Sequence, residues 1–129
     1  MENKTILVAV SDVFFYTKVR DALKPQGYTL EKVRVTGEIT ERAGAVKPAA
    51  VILNMNDDRL DAFQALVILK SDERYKSIPV LAFANHEEVD HWKRAQQMGV
   101  AKIVSRNEFS SRTLALVEEV IKKAVVDQA

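Results

Sequence analysis

Apolar residues fall along this chain in two alternating rhythms. Continuous runs rich in β-branched residues, TILVAV, AAVILN, IPVLAF and VAKIV, have the pattern of strands buried on both faces. A more polar run, LEKVRV, reads as a further strand nearer a sheet edge. Between these runs the apolar positions recur at helical spacing. Phe15, Val19, Ala22 and Leu23 mark a first helix, with Ser11 or Asp12 as its cap and Pro25 and Gly27 at its end. Ile39, Ala43 and Val46 mark a second, weakened by Gly44, which costs a helix interior about 1 kcal/mol relative to alanine. Phe63, Leu66 and Val67 mark a third, with Asp61 as its N-cap. Asn85 followed by Glu88 has the pattern of a capping box for a fourth helix through Met98, stopped by Gly99. Ser110 is placed to cap a fifth, in which Leu114, Val117, Val120, Ile121 and Ala124 face inward.

A βα unit repeated five times predicts an α/β protein: a doubly wound, five-stranded parallel sheet with helices on both faces. Ligands of such sheets lie beyond the carboxyl ends of the strands, near the point where strand order reverses. Function is therefore sought after Val10, Leu53, Phe83 and Val104.

At 129 residues the chain is expected to form one domain, 1–129, with its core at about 4–124 and no output domain attached. The apolar fraction of 47%, the charged fraction of 29% and a net charge of +1 with signs interspersed give no reason to expect nucleic acid or an anionic membrane surface as a partner. The absence of cysteine excludes disulfides, thiolate metal sites and a Cys nucleophile. The run Ile6 to Val10 is too short for a signal or membrane segment, so a soluble, cytoplasmic protein is expected.

Four segments, ILVAVSD, AAVILNMNDDRLDAF, IPVLAFAN and GVAKIVSRNEF, carry a resemblance to the receiver domain of bacterial response regulators, the chemotaxis-regulator-like, flavodoxin-like fold. The resemblance runs from Lys4 to about Lys123, with Gly27, Pro79 and Gly99 at the family's spacing. It implies two-component signal transduction and a role for each strand end. Receivers hold Mg²⁺ with an acidic pair after the first strand and phosphorylate an Asp ending the third. A Thr or Ser after the fourth strand and a Lys after the fifth contact the phosphoryl group. Here Val10 and Ser11 stand at the acidic pair, with Asp12 one step late. Asn54 takes the phosphoacceptor place, Ala84 the Thr or Ser place and Arg106 the Lys place. Asn107 replaces the usual Pro, and Ile103 falls at the switch aromatic.

Each departure weakens phosphoryl chemistry. The Asn54 carboxamide is a neutral, poor nucleophile. Val10 and Ser11 offer no carboxylate to a hard cation. Ala84 has no hydroxyl, and Arg106 is a planar fork rather than a point ammonium. Together these residues predict a degenerate pseudo-receiver without enzymatic activity, metal or cofactor, acting through phosphorylation-independent protein contact. The alternative is a receiver phosphorylated at a shifted carboxylate, Asp57 or Asp58, for which the sequence shows no evident hydroxyl or basic partner.

Asn54 is either held by Ser11 and Arg106 or is a strand-end amide satisfied by loop backbone. Arg106 either pairs with Asp12 or Asp58 in place of the metal, or is solvated. His86 and His91 in HEEVDH lie about 140° apart on a helix, too far round for shared chelation, and are expected to face solvent. The resemblance places partner binding and dimerisation on the face of the fourth helix, fifth strand and fifth helix. Trp92 is either an exposed hot spot beside that face or partial core. Phe14 and Tyr16 either plug the vacated metal site from its rim or form a binding patch. Protein partners, a second copy included, are expected; no Gly-rich loop supports a nucleotide.

Overall fold

All five expected strands form and run parallel: β1 (Thr5–Ala9), β2 (Thr29–Val33), β3 (Ala50–Asn54), β4 (Val80–Ala84) and β5 (Lys102–Ser105), in the order β2-β1-β3-β4-β5. The computed structural model describes residues 3–128, with side chains as far as Val126. The polar strand β2 takes an edge, where only part of its surface must be covered, and no residue from Ile6 to Val10 retains solvent exposure.

Strand side chains alternate between faces, and the alternation builds two cores. Leu7, Ala9, Val51, Leu53, Val80 and Ala82 point to one face. There they meet α2 (Ile39–Val46), α3 (Ala62–Ser71) and α4 (Val89–Gln97). Ile6, Val8, Val10, Ile52, Leu81 and Phe83 point to the other. They meet α1 (Val13–Leu23), α5 (Arg106–Ser111) and α6 (Thr113–Gln128). Strand order, register and helix placement together give the doubly wound α/β architecture expected from the chain.

Two boundaries and one buried position differ from the sequence expectation. Ser110 does not cap the last helix: Ser105 caps the short α5 by accepting from the Glu108 amide at 3.0 Å, and α6 starts separately at Thr113. The Asn85–Glu88 capping box does not form, because the Asn85 amide is bonded elsewhere, and α4 begins only at Val89. Val67 is exposed, since Ala62, Ala65, Leu66 and Leu69 supply the buried stripe of α3. Two of those four are small alanines, whose inward placement the larger residues do not reveal.

Gly44 has a packing reason that outweighs its helix penalty. A Cβ there would meet the Tyr75 hydroxyl at 2.8 Å, and Tyr75 is buried. The next turn ends at Lys47, whose φ of 46° and ψ of 65° place a residue with a Cβ in the left-handed region usually given to glycine. Lys47→Gly is therefore expected to raise unfolding free energy by about 0.5–1 kcal/mol, the Cβ strain being partly offset by glycine's backbone entropy. A urea titration checks this through the midpoint at constant m-value.

Candidate functional site

Strand order reverses between β1 and β3, so the crevice beyond their carboxyl ends is where a ligand of this fold would sit. Here that crevice is bridged from within. The Ser11 amide and hydroxyl each donate to a different oxygen of the Asp57 carboxylate, both at 2.7 Å. The Arg59 and Leu60 amides also donate to Asp57, at 2.9 and 3.0 Å. An aspartate bonding the amides two and three residues on is a turn-forming arrangement that folds the loop back on itself. Asp57 thus shapes its own loop and pins it to the end of β1. Burial alone would raise its pKa, but the Ser11 amide and hydroxyl and the Arg59 and Leu60 amides outweigh burial and hold the carboxyl below its ordinary value.

Asn54 ends β3 and is buried, with 4% of its surface exposed. Its side-chain oxygen accepts from the Asn56 amide at 3.0 Å, and its carbonyl accepts from the Asp57 amide at 3.3 Å. It bonds neither Ser11 nor Arg106, so its oxygen is satisfied by loop backbone. Asn56 carries the connection onward: its side-chain oxygen accepts from the Asn85 amide at 2.8 Å, and the Asn85 carbonyl accepts the Trp92 indole N–H at 3.0 Å. A relay of amides therefore joins the loop after β3, the loop after β4 and α4. Further along, the Asp61 amide donates to the Thr36 hydroxyl at 2.9 Å, while the Asp61 carboxylate caps α3 through the Gln64 amide.

Arg106 makes no ion pair with Asp12 or Asp58. Ser105 sets it in the first turn of α5, where its guanidinium lies over the Phe15 ring, 4.7 Å from the centroid. Asp12 is committed to capping α1 through the Phe15 amide at 3.0 Å, and Asp58 is exposed on the loop. Stacking on an aromatic face is worth about 0.5–1 kcal/mol near the surface and needs no carboxylate. Beneath it, Phe15 stacks against Phe83 at 4.7 Å, and Phe83 against Phe109 at 4.6 Å. A cleft of about 320 Å³ remains between Asn85, Ser105, Arg106 and Asn107. Val10 and Ala84 are buried, as is Ile103 at the switch position.

The aromatic candidates divide. Trp92 is not an exposed hot spot; it packs against the α2–α4 core with its indole N–H bonded. Neither Phe14 nor Tyr16 plugs the crevice. Tyr16 turns toward β2, where the Lys32 ammonium lies 4.9 Å from its ring, and Phe14 projects into solvent with 84% exposure. His86 is exposed as expected, but His91 is half-buried, its ring 5.3 Å from that of Phe63, and no cluster of metal-ligating side chains forms among the described residues. The sequence view missed the hydroxyl partner of Asp57, because Ser11 was aligned with a metal ligand rather than a donor. It also missed Asn56, for which neither spacing nor residue type gives a signal.

No protein-family model matches the chain, and no curated protein matches it. Its fold is nonetheless shared with solved receivers. The receiver domain of NtrX from Brucella abortus superposes with a TM-score of 0.79 at 18% identity, over 91% of this chain and 98% of that one. The signal receiver domain of a signal transduction histidine kinase from Syntrophus aciditrophicus gives 0.82 at 17% identity, over 93% and 91%. A longer NtrX structure gives 0.86 at 15% identity over 98% of this chain, which spans only 28% of that NtrX chain. At these identities the agreement shows the fold: the structures the chain is similar to are receiver domains.

Asp57→Asn removes charge from a four-donor clasp and is expected to cost about 1–2 kcal/mol at neutral pH, partial exposure having weakened each bond. Because the folded carboxyl sits below its ordinary value, its contribution is present above about pH 4 and lost as pH falls through the lower folded value. Urea midpoints of wild type and variant should therefore converge on acidification. A gap that stays constant with pH would show that the Asp57 charge contributes nothing.

Proposed function

We propose that this chain is a pseudo-receiver: a receiver-fold signalling module that works by protein contact, takes up no phosphate, and has no catalytic residue, metal or cofactor of its own. The observation that supports this most is the Asp57 clasp. The carboxylate nearest the crevice spends both oxygens on four internal donors, and the strand end beside it is the neutral, backbone-bonded Asn54. A hard divalent cation recruits carboxylates that are free to rotate toward it. Here it would have to break bonds that also hold the loop.

Protein contact then falls to exposed apolar surface, of which Phe14 is the largest single side chain. The α4–β5–α6 face remains a candidate for partner binding and for a homodimer, without Trp92 as its anchor. A cytoplasmic, bacterial setting fits this reading. Among the described residues no helix is long and apolar enough to cross a membrane.

One observation favours the second reading, phosphorylation at Asp57. The Ser11 hydroxyl lies 2.7 Å from a carboxylate kept ionised by its donors. Two additions separate the readings: acetyl phosphate with Mg²⁺, and beryllofluoride with Mg²⁺. Trp92 emission follows both, because its indole is joined to the strand-end loops. The expected outcome is no saturable change in emission and no phosphoryl adduct by intact mass. A Mg²⁺-dependent adduct that disappears in Asp57→Asn would sink the pseudo-receiver reading.

A further inference from the structure

Lysine side chains ordinarily lay their stems along the surface and leave the ammonium in water. Lys70, in the last turn of α3, does not. Its stem passes Gly99 in the turn before β5, where an added Cβ would lie 3.8 Å from Lys70 Cε and 4.0 Å from Cδ. Its nitrogen donates to the carbonyls of Lys76, at 3.1 Å, and Ile78, at 3.5 Å, in the turn that leads into β4. Lys70 borders a cleft of about 320 Å³ with Pro79, Val100, Val120 and Lys123, and no carboxylate lines that cleft among the described residues. Lys123 is opposed by Glu119, one turn back on α6. Lys70 itself forms no ion pair among the described residues.

These surroundings disfavour the charged amine. Burial pushes the Lys70 ammonium below its ordinary value, and no paired carboxylate offsets that effect. Loss of a proton deprives neither carbonyl of its donor. An ammonium has three N–H groups, and the neutral amine keeps two, one for each acceptor. The lone pair then takes the remaining tetrahedral position, turned away from both carbonyls. An amine desolvated in this way is an activated nucleophile.

We propose that Lys70 is an acylation site, modified directly by a small activated acyl donor, an acyl phosphate or an acyl thioester. The lone pair on Lys70 Nζ forms a bond to the acyl carbon. The bond from that carbon to the phosphate oxygen or the sulfur breaks, and the proton shed by nitrogen leaves with the phosphate or the thiol. The cleft beside Lys70 has room for a two-carbon acyl group. The product amide keeps a single N–H, so only one of the carbonyls of Lys76 and Ile78 retains its donor and the turn into β4 is loosened. The proposal does not depend on whether the carboxyl end of the sheet takes phosphate.

The test incubates the whole chain at neutral pH with acetyl phosphate or, separately, with acetyl coenzyme A, without added metal. Peptide mass spectrometry at early times reads the occupancy of each lysine. Lys70 is expected to gain an acetyl group severalfold faster than the exposed Lys18 and Lys24 in at least one arm, and the faster arm identifies the leaving group. In guanidinium chloride, where the cleft and both carbonyl bonds are lost, that preference should vanish. Labelling of Lys70 no faster than that of Lys18 and Lys24 in both arms would overturn the proposal. A preference that survives unfolding would overturn it too, since it would come from neighbouring sequence rather than from the folded site.

Discussion

The middle of the sheet is closed to water on both faces, and that constraint governs where every polar group can go. β1, β3 and β4 are buried almost throughout, with side chains alternating into two separate cores. Buried backbone amides are satisfied by the parallel ladder, but side-chain polarity has no place inside. Chemistry can only be built where strands stop. The two ends of the sheet, reached by the same physical necessity, have been used very differently.

At the carboxyl end, polar groups are turned on one another. Ser11 and Asp57 join β1 to the loop after β3, Asn56 and Asn85 join that loop to the next, and Arg106 rests on Phe15. These contacts tie the strand-end loops to one another and to the sheet. At the amino end open clefts remain, lined by Lys4, Lys70, Lys122 and Lys123 and also by Glu118 and Glu119. A surface that satisfies itself is suited to holding a shape.

The architecture was legible in the sequence because its signals are dense. Four apolar runs, punctuated by Gly27, Pro79 and Gly99, fix the strands and their order of appearance, and the strand ends follow from them. The site was only partly legible. Which residue stands at each strand end depends on register along one strand and could be read off. Which group bonds which depends on loop backbone, and Asp57 and Asn56 act through amides that carry no sequence signature. Trp92 illustrates the same limit. Its helix is polar enough to suggest exposure, yet one carbonyl acceptor, the Asn85 oxygen, lets the indole lie down against the core.

The stacked rings of Phe15, Phe83 and Phe109 bind together α1, β4 and α5, elements drawn from the beginning, middle and end of the chain. The contact between Phe15 and Phe109 closes a long loop, an entropic cost that contacts within the first half of the chain do not carry. The stack therefore cannot assemble while β5 and α5 are missing. An N-terminal fragment that already contains four of the five strands would still expose two faces of phenylalanine ring to water. A chain that lacks α5 therefore leaves apolar ring surface uncovered and is expected to be more aggregation-prone than one that has it.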